Sequence, residues 1–94
     1  MDFEIGGTVI EWRGPAPYHF LAVGPEESAA IDELRPLVTY GWGMVPAEVR
    51  LGATTWRTSL WPKDGGYLIP LKDAVRRAEG VEAGDEIALR LRVG

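Results

Sequence analysis

Apolar and polar positions alternate with a period of two over much of this chain. Such alternation marks strands whose two faces meet different surroundings. The last segment is the cleanest: Ile87, Leu89, Leu91 and Val93 alternate with Ala88, Arg90 and Arg92. Val45, Ala47, Val49 and Leu51 share one side of Met44 to Leu51, with Glu48 and Arg50 on the other. From Thr54 to Trp61, one face carries Trp56, Thr58 and Leu60, and the opposite one carries Thr55, Arg57, Ser59 and Trp61. A strand over residues 3–13 begins with Phe3, Ile5 and Val9 in one parity and then shifts to Ile10 and Trp12, with Gly6-Gly7 as the expected bulge or bend. Tyr18 to Val23 and Tyr67 to Leu71 are apolar enough to add two more strands.

Two segments change period. Pro25 and the carboxylates Glu26 and Glu27 suit a helix start, and Ala30, Ile31, Leu34, Leu37 and Val38 recur at helical spacing. Pro36 is expected to end or kink that helix near Arg35. A shorter helix is marked by Leu71, Val75 and Ala78 and closed by Gly80. The turns are written in glycine and proline: 14–17, 52–54, 62–66 and 83–85. About six strands separated by such turns predict a mainly β fold, a small closed or pseudo-closed β-barrel capped by two short helices. Residues 1–94 make one domain on this reading, since 94 residues suit a single core.

Composition narrows the chemistry. The chain has no cysteine, which removes disulfides, thiol catalysis and thiolate metal sites and suits a reducing cytoplasm. No signal peptide or membrane span is expected, so the chain reads as soluble and cytoplasmic. Its net charge of −4 is uneven. Residues 1–47 hold two basic against seven acidic side chains, and residues 48–94 hold eight basic against seven acidic. That balance lacks the basic footprint of a typical nucleic-acid binder.

Candidate chemistry is sparse. The lone histidine, His19, stands between Tyr18 and Phe20, and if those two face the core His19 faces out. Neither H-x-x-E nor H-x-H spacing supports a metal there. Ser59, His19 and Asp64 or Asp85 fail as a triad because Ser59 lies in a strand with no G-x-S-x-G elbow. Gly41 with Gly43, and Gly65-Gly66, do not open helices as phosphate loops do. No cofactor is implied.

The four tryptophans are the stronger signal. Trp12, Trp56 and Trp42 are expected to plug the barrel, as aromatics do in small cores. Against that, Tyr40-Gly41-Trp42 falls in a loop, and Arg57, Ser59 and Trp61 share a strand face followed by Lys63. An aromatic–basic cleft of Trp42, Arg57, Ser59 and Trp61 is therefore the candidate ligand-binding site.

Trp42-Gly43, Thr58-Ser59-Leu60, Tyr67-Leu68-Ile69-Pro70-Leu71-Lys72, Val75-Arg76-Arg77-Ala78-Glu79 and Gly84-Asp85 occur in an order and spacing that resemble a bacterial family. It is the domain-of-unknown-function family numbered nineteen-oh-five, and the resemblance runs from about Trp12 to Val93. Gly24, between Val23 and Pro25, departs from its pattern of an aliphatic residue followed directly by proline. The resemblance implies a small split-barrel-like domain, similar to barrels found in bacterial regulators and antitoxins. It implies no reaction and no ligand. A segment associated with bacteriocin protection in some members is not read here, so that role is not carried over.

The leading expectation is a non-catalytic module binding a small molecule or a protein. A split-barrel nucleic-acid regulator and an enzyme using His19 are the alternatives. The alternating last strand, read as an exposed edge, suggests a homodimer.

Overall fold

The computed structural model describes the backbone of residues 1–13, 18–38 and 44–94, with the side chains of all but residues 35–38. In chain order the elements are β1 (Asp2–Thr8), β2 (Ile10–Trp12), β3 (Tyr18–Ala22), α1 (Pro25–Val38), β4 (Val45–Leu51), β5 (Thr54–Lys63), β6 (Gly66–Leu71), α2 (Asp73–Glu79) and β7 (Glu86–Val93). The seven strands form one antiparallel sheet in the order β1-β7-β4-β5-β6-β3-β2.

The fold is mainly β with two helices as expected, but the sheet is a curled, open half-barrel of seven strands where a closed or pseudo-closed barrel of about six was expected. The seventh strand arises because the first predicted strand divides. Only Val9 separates β1 from β2, yet these two strands occupy opposite edges of the sheet. The chain can leave one edge and begin the other within a residue only if the sheet curls. Val9 is fixed at that corner: its amide donates to the Asp85 carbonyl at 2.8 Å, and its carbonyl accepts from Gly84 at 2.8 Å. The break therefore falls at Val9, not at the glycines. Gly6 and Gly7 stay in regular register with Ala88 and Ile87, so no bulge forms there.

Strand β5 also bends the sheet. Its first part pairs with β4 as far as Leu60 opposite Val45, and Trp61 to Lys63 pair with β6. Three prolines stand where one neighbouring ladder has run out. Pro46 precedes the last β4–β7 pair, Pro62 lies past β4, and Pro70 lies past the β5–β6 pairs. A residue without an amide hydrogen is tolerated at such ladder ends. The β5–β6 turn is tighter than expected, leaving Pro62 and Lys63 in the strand, with Asp64 (φ 51°) and Gly65 (φ 80°) making the turn.

The alternation seen in the sequence sets the inner face. Val45, Ala47, Val49 and Leu51 of β4, Trp56 and Leu60 of β5, and Leu89, Leu91 and Val93 of β7 are all buried in one cluster. Ile31 of α1 and Val75 of α2 join it. The backbone of α1 continues through Pro36 to Val38, past the expected stop. Proline loses its amide donor and crowds the carbonyl four residues back, a cost that falls here on the final turn, where little helix is left to disrupt. Helix α2 ends as expected at Gly80, in the left-handed conformation with φ 66°. The Val81 amide bonds the Arg76 carbonyl across that cap at 2.9 Å. Strand β7, expected as an exposed edge, lies between β1 and β4, so the exposed-edge rationale for a homodimer does not hold. No helix among the described residues is long and apolar enough to cross a membrane.

An aromatic groove on the outer face of the sheet

Strand β3 reverses the sidedness expected of it. Leu21 and His19 point inward, and Tyr18 and Phe20 point outward. His19 is 8 % exposed, not the exposed histidine that alternation suggested. The run Tyr18 to Val23 is apolar on both faces, so its pattern holds no information about which face is inside. Tyr18 and Phe20 meet other outward rings. Trp12 lies opposite Tyr18 across the β2–β3 ladder and stacks on it, ring centroids 6.3 Å apart. Trp61 of β5 makes an edge contact with Tyr18 at 5.6 Å and a tilted contact with Phe20 at 5.2 Å. These separations fall in the range favoured by aromatic quadrupoles.

Phe20 shows what this cluster does. It is 4 % exposed, yet it is not part of the inner core cluster. The half-exposed rings above it seal it from the outside. Trp12 is 52 % exposed and Tyr18 43 %, so Trp12 belongs to the surface and not to the interior as expected. Trp56 is buried in the core as expected. The four rings, with Ile10, Leu68, Glu11 and Lys63, line a groove of about 440 Å³, a size suited to a small ligand. Its walls are largely apolar, with Lys63 exposed at the rim.

Several polar groups of this region are already engaged, although His19 Nδ1 and Arg76 Nε are buried without a hydrogen-bond partner among the described residues. Glu11 faces His19 across the ladder, its Oε2 3.3 Å from His19 Nε2, and its Oε1 accepts from Arg13 Nε at 2.9 Å. Glu11 therefore meets the Nε2 side of the His19 ring, and the buried Nδ1 on its other side has no hydrogen-bond partner among the described residues. On the other side of Tyr18 and Trp61 lies a depression of about 360 Å³, lined also by His19, Thr58, Lys72 and Asp73. Lys72 Nζ there donates to the Arg57 carbonyl at 3.2 Å. Arg76 holds the Asp73 carboxyl below the usual range by a 2.6 Å hydrogen bond and by its charge.

The sequence-derived candidates divide. Arg57, Ser59 and Trp61 do share the outer face of β5, but only Trp61 lines the aromatic groove. Ser59 lies opposite Pro46. Arg57 lies opposite Glu48, which faces Arg92, which in turn faces Asp2, giving a row of alternating charge across four strands. Trp42 lies outside the described residues. Ile10, Trp12, Tyr18, Phe20, Lys63 and Leu68 line the groove and were not among the candidates. A same-parity aromatic pair, Tyr18 and Phe20, beside a strand ending in Trp12 was the available signal. Among the described residues no group of three or more histidine or carboxylate side chains is gathered as a metal site.

Fold and site together define a curled, mainly β domain with an aromatic groove on its outer face. A family model matches residues 6–91, nearly the whole chain, and the chain belongs to that family: Domain of unknown function (DUF1905). No curated protein matches it.

Proposed function

We propose that this domain is a non-catalytic binding module whose outer groove takes a small molecule with a planar apolar body and an anionic group. The observation that carries the reading is the meeting of Trp12, Tyr18, Phe20 and Trp61, from three strands, on the face turned away from the core. Large rings beyond the needs of the core offer stacking surfaces, and their strand positions restrict them before any ligand arrives. Lys63 at the rim supplies the positive charge, whereas Glu11 is occupied by His19 and Arg13. The buried ring of His19, with Glu11 on one nitrogen, favours a positioning role for it over proton transfer to a substrate. Alternating charges on β1, β7, β4 and β5, and the net charge of −4, weigh against a nucleic-acid surface.

Anilinonaphthalene sulfonate, a planar ring system bearing one anion, is a direct probe. The folded protein is expected to enhance its fluorescence saturably, with weakening of about tenfold in Trp12→Ala and a smaller loss in Lys63→Gln. Saturable binding that both variants leave unchanged would reject the groove as the site. Native mass spectrometry of the protein from its own cells would then identify a resident ligand by its mass.

A further inference from the structure

The charged half of the outer face contains one break in its pattern. Across β1, β7, β4 and β5, the row Asp2, Arg92, Glu48, Arg57 alternates in sign, and Arg92 Nε donates to Asp2 at 3.0 Å. The next row inward along the strands is Glu4, Arg90, Arg50, Thr55. Here two arginines stand directly opposite each other across the β4–β7 ladder. Like charges in that position destabilise a sheet. Their compensation is incomplete. Glu4 reaches Arg90 only at 3.4 Å, with both side chains well exposed, and Arg50 Nε donates to the Gly52 carbonyl at 3.3 Å.

The same two arginines flank a trough of about 590 Å³ lined by Glu4, Gly6, Gly52 and Ala88 among others. Gly6 and Ala88 are a cross-strand pair, so small residues stand beside Arg50 and Arg90 on the outer face, while Ile5 and Leu89, which also line the trough, belong to the buried core. The geometry points to a second ligand site, separate from the aromatic groove, in which Arg50 and Arg90 together grip the phosphate group of a small phosphorylated molecule. Planar guanidinium forks match phosphate oxygens bidentately, and a bound dianion turns the Arg50–Arg90 repulsion into two attractions. The trough is larger than a phosphate ion and leaves space for the group that carries it. Glu4 competes with the ligand for Arg90.

Inorganic phosphate is the probe, titrated against chloride at equal ionic strength with the arginine Nε–Hε resonances observed by NMR. Phosphate is expected to shift the Arg50 and Arg90 signals saturably, and chloride is not. Arg50→Gln and Arg90→Gln should each weaken phosphate binding by about tenfold, the scale of one lost charge-assisted hydrogen bond. Glu4→Gln should tighten it, because the competing carboxylate is gone. All three positions are exposed, so the variants keep the core intact. Equal shifts with chloride, or phosphate affinity unchanged in both arginine variants, would overturn the proposal. So would weaker binding in Glu4→Gln. Neither result bears on the aromatic groove, whose probe and variants are different.

Discussion

Replacing Phe20 with alanine tests whether the outer ring cluster is a packed structure. Phe20 is as buried as many core residues, at 4 % exposure, but its cover consists of Tyr18 and Trp61 on the outer face. Burying a phenylalanine side chain stabilises a fold by about 1.5–3 kcal/mol. Each of its two ring contacts adds about 0.5–1.5 kcal/mol. Phe→Ala substitutions in closed cores cost about 3–5 kcal/mol. Tyr18 is partly exposed and can settle into the space left behind, which places Phe20→Ala near the low end, about 3 kcal/mol. For a domain of this size that is a fall in Tm of roughly 12–24 °C. Thermal unfolding followed by circular dichroism reads the change, with Leu21→Ala as the inner-face comparison. Leu21 is fully buried, and its truncation should cost about 2–5 kcal/mol. Comparable losses from two successive residues mean that both faces of β3 are covered. A loss below about 1 kcal/mol for Phe20→Ala would show that the rings do not pack and that no preformed groove exists.

Trp12→Ala should cost less than about 1 kcal/mol in the same unfolding assay, because the ring is half exposed, while still weakening the dye. Gly80→Ala should destabilise by about 1–2 kcal/mol in chemical denaturation, since its left-handed φ of 66° disfavours a Cβ although space around it is open. The hydrogen bond from Arg92 holds Asp2 below the ordinary carboxyl value of 3.8, and the one from Arg76 does the same for Asp73. Lowered folded values mean stability that is present above pH 3.8 and lost as pH falls through the folded values. Asp2→Asn with Asp73→Asn should therefore flatten the acid limb of the stability–pH curve below about pH 4, and raised salt should shrink the effect because both pairs are exposed. An unchanged acid limb would show that these pairs do not contribute.

Much of the candidate site could be read only in part from the chain. That Arg57, Ser59 and Trp61 share a face follows from the period of a strand. That Arg57 belongs to a row with Glu48 and Arg92, while Trp61 joins Phe20 and Tyr18, depends on the bend of β5 from one ladder to the next. Trp12 looked like core material because its size and apolarity suit a core. Its exposure follows from its outward direction and the edge position of β2, where no further strand among the described residues covers it.

The sequence by itself determined the strands β4 and β7, the inner face of each, the capped end of α2 and the absence of thiol chemistry. These depend on local facts: a backbone that alternates its side chains, a glycine that accepts positive φ, and residue identity. Only the tertiary structure decided which face of β3 is inside, which strands are edges, and that Arg50 meets Arg90. The run Tyr18 to Val23 is apolar on both sides, so no local preference orients it. Its sidedness is set by β6 on one side, β2 on the other and the curl that begins at Val9. Strand order is likewise non-local, because pairing energies between distant segments select it.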